Sequence, residues 1–93
     1  MYALVMYDIS TKFTSKRLNQ VMKYCRNYGQ RIQNSIFEIK LDYNDFLKFQ
    51  KHLISLINPE EDSLKIYYLG KNRKFCQFGT KQSYDLELDC LII

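Results

Sequence analysis

Six apolar or aromatic residues, Tyr2-Ala3-Leu4-Val5-Met6-Tyr7, run straight into one carboxylate, Asp8. A run so short and so apolar reads as a strand buried on both faces, and the polar segment after it leads into a helical pattern. Asp8 therefore falls at the strand's carboxyl end, where ligands of open α/β sheets bind, and it is the first candidate for chemistry. The competing reading is an acid that caps the next helix or closes a turn. Other reactive side chains are sparse. His52 is the lone histidine and has no second ligand nearby in sequence. Cys25, Cys76 and Cys90 are odd in number and far apart, matching neither a disulfide framework nor a zinc-ligand spacing, so all three read as core or boundary residues. Cations are better supplied. Fourteen Lys and Arg against ten Asp and Glu leave a formal charge of +4, which attracts phosphate without proving that any is bound. Eight Tyr and six Phe are more than so small a core can hide, and rings beside basic residues suit either a nucleic-acid surface or a dimer interface.

The elements that must position these residues follow from spacing. Thr14 or Ser15 supplies an N-cap, after which Leu18, Val21, Met22 and Cys25 recur on one helical face. The other side of that helix carries Lys16, Lys23 and Arg26, with Arg17 close to its start. This basic stripe is either a solvated face or a phosphate-binding one. Gly29 stands where a C-terminal glycine cap belongs. Two extended pieces come next, Arg31 to Gln33 and Ser35 to Leu41, with Asn34 as the turn between them; Phe37, Ile39 and Leu41 alternate with Glu38 and Lys40. A second helix fits Asn44 to Ile57, capped by Asp42 or Asn44, lined by Phe46, Phe49, Leu53, Leu56 and Ile57, and stopped by Pro59. Asp62 to Gly70 returns to strand, with Leu64, Ile66 and Tyr68 on one face and Lys65 and Tyr67 on the other.

Strand, helix, strand, strand, helix, strand predicts an α+β fold of ferredoxin-like type, a βαββαβ antiparallel sheet with both helices on one face. The other face is then left bare, and its apolar and aromatic residues require a partner. After the core, residues 1–70, the segment 71–93 reads as an extension: a basic turn at Lys71 to Lys74, a short extended piece at Phe75 to Gly79, and a tail from Tyr84 that ends in Cys90-Leu91-Ile92-Ile93. That apolar tail is expected to add to a sheet edge of a second copy, giving a homodimer. At 93 residues the chain has room for one domain. No stretch approaches the roughly 20 apolar residues of a membrane span, and the first strand lacks the basic start of a signal peptide, so a cytoplasmic protein without membrane contact is expected.

Several stretches resemble one family, the small CRISPR-associated protein conventionally numbered two. They are Leu4-Val5-Met6-Tyr7-Asp8-Ile9, the helix from Arg17 through Tyr24, the run Cys25-Arg26-Asn27-Tyr28-Gly29-Gln30-Arg31-Ile32-Gln33-Asn34-Ser35-Ile36-Phe37-Glu38, and Asp62 through Gly70. Asp85-Leu86-Glu87 and Leu91-Ile92-Ile93 resemble tails of the branch found with I-C type loci. The resemblance implies a ferredoxin-like homodimer in which two copies of Asp8 face each other across the two-fold axis and hold magnesium. It implies an adaptation protein that binds the backbone of duplex DNA, with single-stranded RNA as a further substrate, and that assembles with the CRISPR integrase subunit. It further implies a metal-dependent endonuclease, with Asp8 catalytic, Arg17 and Arg31 on phosphate beside the basic residues Lys16, Lys23 and Arg26, and Tyr7 and Phe37 supporting the site wall. Many relatives carry a second acid two residues after the first, where this chain has Ser10. The rival readings are a toxin-type messenger ribonuclease of the same fold, a purely architectural DNA-binding subunit, and a ligand-sensing module that touches no nucleic acid.

Overall fold

The computed structural model describes residues 1–69 and 74–79. In chain order the elements are β1 (Tyr2–Asp8), α1 (Lys16–Tyr28), β2 (Gly29–Gln33), β3 (Ile36–Lys40), α2 (Tyr43–Leu56), β4 (Ser63–Leu69) and β5 (Lys74–Gly79). They form a five-stranded sheet in the order β2-β3-β1-β4-β5, and each neighbouring pair is antiparallel. The first four strands and two helices give the ferredoxin-like α+β arrangement, and β5 extends the sheet beyond β4. The tail from Tyr84 to Ile93 and most of the basic turn at residues 71–74 lie outside the described residues.

β1 is central, but it is not buried evenly on both faces. Ala3, Val5 and Tyr7 are buried, Leu4 and Met6 are half-buried, and Tyr2 and Asp8 are exposed. The reason is the one-sided placement of the helices. Val21 and Cys25 of α1 and Phe46, Phe49 and Leu53 of α2 join Ala3, Val5, Tyr7, Phe37, Ile39, Leu64, Ile66 and Tyr68 in one core. Burying so many large apolar side chains, at roughly 1.5–3 kcal/mol each, is what holds two short helices to the sheet. The alternate residues of β1 face the other way, so the strand has a dry side and a wetter one.

Local chemistry adjusts the element ends. Ser15 makes no side-chain cap; Thr14 Oγ1 instead accepts from the Lys16 amide at 3.1 Å. Asp42 caps α2 by accepting from the Asp45 amide at 2.8 Å. Gly29 does not close α1 in a left-handed turn. Its φ is −154°, it begins β2, and a Cβ there would overlap the Glu38 carbonyl oxygen and Ile39 Cδ1. Glycine is used for close strand approach, not for backbone sign. β2 consequently starts two residues earlier than spacing predicts, and its register with β3 shifts between Arg31 and Gln33. Gly79 has a φ of +113° and packs where a Cβ would meet the Asp62 carbonyl oxygen, so glycine serves both purposes there.

Candidate functional site

Asp8 ends β1 exposed, in register with Ser63 at the start of β4. Because strand partners share a face, Asp8, Met6 and Lys65 lie on the face away from the helices. Together with Tyr7 and Ser63 they line a shallow depression of about 210 Å³. The carboxylate thus sits at the open edge of a depression that also holds one lysine, Lys65, which the strand pattern placed on the face opposite Leu64, Ile66 and Tyr68. Lys65 is the site residue that spacing alone did not single out.

Tyr7 and Phe37 support this strand end from behind. Phe37 is fully buried and stacks on Tyr7 with ring centroids 6.2 Å apart. The Tyr7 amide donates to the Ser35 carbonyl at 3.1 Å, which fixes β1 to the β2–β3 turn just before Asp8. Burial pushes the Tyr7 hydroxyl pKa up, and the charges of Arg31 and Arg26 pull it partly back. The Tyr7 hydroxyl donates to the Asn34 carbonyl at 3.4 Å. Arg31 shares the register of Phe37 and donates to the Asn34 carbonyl at 3.1 Å and to Asn34 Oδ1 at 3.4 Å. Asp8 and Arg31 thus occupy opposite faces. Lys16, Lys23 and Arg26 are exposed along α1.

Arg17, one of the residues that the resemblance sets on phosphate, is engaged in an ion pair within the chain. Its Nε donates to Asp62 Oδ2 at 2.6 Å, and its Nη2 donates to Asp62 Oδ1 at 3.1 Å and Glu61 Oε1 at 3.3 Å. Asp62 is fully buried and also accepts from the Ser10 amide and the Asn58 amide, each at 2.8 Å. Burial pushes the Asp62 carboxyl up, but the Arg17 hydrogen bonds, the two amides and the Arg17 charge outweigh it and hold the pKa below the ordinary carboxylate range. Asp62 raises the Arg17 pKa in turn. This clamp ties the β1–α1 loop, two residues past Asp8, to the start of β4. Sequence carried one signal for it, an acid three residues after Pro59 and directly before a strand, but the partners come from segments too distant to pair by spacing.

Among the described residues no group of three or more His, Cys, Asp and Glu could hold a metal ion. Asp8 by itself gives one carboxylate, short of a complete centre but within the one or two carboxylates that magnesium commonly takes beside water and phosphate oxygens. Cys25 is fully buried, and burial raises its thiol to about 12, so it is an inert core residue as its spacing predicts. His52 is exposed and packs against Tyr24, 4.7 Å between ring centroids.

A ferredoxin-like sheet with an exposed acid at the end of its central strand defines a class of small α+β proteins with one sheet face left uncovered by helices. Within that class the family model described as CRISPR associated protein Cas2 matches residues 1–76, and the chain belongs to that family. It is 46% identical over 91 residues to a protein of Halalkalibacterium halodurans named CRISPR-associated endonuclease Cas2, covering 94% of this chain and 95% of that one. A relative from Chlorobaculum tepidum, named CRISPR-associated endoribonuclease Cas2, is 38% identical over 91 residues, covering 94% and 95%. The crystal structure of Streptococcus pyogenes Cas2 at pH 6.5 superposes with a TM-score of 0.68 at 42% identity, covering 77% of this chain and 89% of that one. Among the described residues no helix is long and apolar enough to cross a membrane.

Proposed function

We propose that the chain is a CRISPR adaptation protein that works as a homodimer, binds the backbone of duplex DNA beside the integrase subunit, and cleaves phosphodiesters with magnesium at Asp8. The observation that carries the catalytic part is Asp8 itself, an exposed carboxylate at the end of the central strand, on a face the helices leave uncovered. Two copies brought face to face would pair their Asp8 carboxylates, matching the ligand count magnesium commonly takes. When bound, the cation supplies Lewis acidity and a lowered water pKa. The chain's own residues then have simple tasks. Asp8 holds the cation, Tyr7 and Phe37 keep the strand end in place, and Lys65 adds positive charge for a phosphate. Lys16, Lys23 and Arg26 attract the backbone from the helix side, in a way that weakens with salt and reads no sequence.

The nuclease names of the relatives support this reading over a site-free one. A purely architectural role is favoured by a separate observation: Ser10 stands where many relatives carry a second acid, and among the described residues no group of three or more His, Cys, Asp and Glu could hold a metal ion. Cleavage of duplex DNA and single-stranded RNA, with and without magnesium, decides between them. Parent protein that cuts only with magnesium, and Asp8→Asn protein that does not cut but still binds duplex DNA, is the expected result. A parent that binds duplex and never cuts leaves the architectural role standing.

A further inference from the structure

A second feature lies on the helix side, away from Asp8. Tyr24 and Tyr28 stand one turn apart at the end of α1, and Asp45, Lys48, Phe49 and His52 follow helical spacing on α2. With Leu41 they enclose a groove of about 420 Å³ between the helices, within the size range of small-ligand sites. Phe49, 1% exposed, is its floor. Tyr24 stacks on Phe49 at 5.3 Å with planes 7° apart, and its hydroxyl donates to the Phe49 carbonyl at 3.3 Å, so this ring is fixed. Tyr28 tilts against both, 5.0 Å from Tyr24 and 5.2 Å from Phe49, yet remains 43% exposed. Folding has immobilised the back of the groove and left one large aromatic wall wet.

A neighbouring depression lined by Lys48, Lys51, His52 and Ser55 shares Lys48 and His52 with the groove. Rings therefore give way to cations along one continuous surface. Two lysines and one facing acid, Asp45, leave the surface net positive, which selects an anion carrying a flat ring over a neutral apolar ligand. We infer that this groove binds a nucleotide of single-stranded nucleic acid, its base stacking on Tyr28 and its phosphate meeting Lys48 and Lys51. Base stacking on aromatic walls tolerates any sequence, and a positively charged surface beside the rings tracks the backbone. The site extends the proposed DNA-binding role to unpaired strand ends and rests on that reading only for its biological setting, because the groove shares no residue with the Asp8 depression.

The test uses fluorescence anisotropy of the full chain with a labelled thymidine hexanucleotide, an abasic hexamer of equal charge, and a blunt duplex. The parent should bind the hexanucleotide more tightly than the abasic strand. Tyr28→Ala should weaken hexanucleotide binding roughly tenfold, Tyr28→Phe should restore it, and both should leave duplex binding unchanged. Lys48→Ala with Lys51→Ala should weaken both single strands but not the duplex. Equal binding of the base-bearing and abasic strands, or full binding by Tyr28→Ala, would overturn the stacking site; so would equal loss of duplex and single strand in the lysine variant. A parent that binds the hexanucleotide in this Tyr28-dependent way but ignores duplex would keep the groove and reject the duplex-binding role.

Discussion

Two aspartates stand one residue apart across the same strand pair, and the fold treats them in opposite ways. Asp8 is in register with Ser63, and Asp62 immediately precedes Ser63. Asp62 is sealed from water and surrounded by Arg17 and the amides of Ser10 and Asn58, while Asp8 ends its strand in the open. The difference lies in what the neighbouring chain supplies. The loop around Asn58 and the start of α1 curl over Asp62, satisfying each oxygen, which is the condition under which a charge can be buried. Asp8 instead borders a shallow depression that it shares with Met6, Tyr7, Ser63 and Lys65. A carboxylate that the fold has fully satisfied builds structure. One at an exposed strand end faces water, where an outside cation can reach it.

Removing the buried acid should have the largest effect on this contrast. Asp62→Ala leaves Arg17 facing two uncapped amides and frees the β1–α1 loop, at a cost of about 3 kcal/mol, the lower end for breaking a buried pair because Arg17 keeps some access to water. For a chain of this size that corresponds to a loss of roughly 15 °C in Tm by calorimetry. A loss under about 3 °C would show that the clamp contributes nothing the loop cannot replace.

The clamp was also the least legible part of the sequence. Apolar periodicity located both helices, β1, β3 and β4, because core burial acts through the local spacing of residues such as Val21, Cys25, Phe46, Phe49 and Leu53. The same logic marked Asp8 by its place at the end of an apolar run. It failed wherever a residue's role is set by a distant partner. Gly29 caps α1 as its place after Tyr28 predicts, its amide donating to the Cys25 carbonyl, but its need for no side chain comes from Glu38 and Ile39 across the strand pair. Arg17 looked like part of the basic solvent side because it stands close to the start of α1, but Asp62, forty-five residues away, pairs with its guanidinium. Burial on both faces of β1 was inferred from composition, whereas the sheet has helices on one side only.

Acid should expose the same clamp more gently. The folded pKa of Asp62 lies below the ordinary value of about 3.9, so its contribution is fully present above that value and is lost as the pH falls through the folded pKa. Chemical denaturation from neutral pH down past about 4 should therefore give a stability curve for the parent that falls at its acid end. The Asp62→Ala curve should fall less over the same window. Parallel curves would mean that other carboxylates dominate the acid limb and that Asp62 is not held low.

The smallest stability effect should come from the exposed partner in the comparison. Asp8→Asn keeps the side chain's shape at a strand end where water solvates either group, so its Tm should stay within about 3 °C of the parent in the absence of magnesium. The sign is informative. If two copies bring their Asp8 carboxylates together, neutralising both removes a repulsion, and the variant dimer should melt at or slightly above the parent temperature. Added magnesium should then raise the parent's Tm and leave the variant's unchanged, because only the carboxylate pair binds the cation. A clear drop on Asp8→Asn, insensitive to magnesium, would instead make Asp8 a structural acid like Asp62 and erase the distinction between the two.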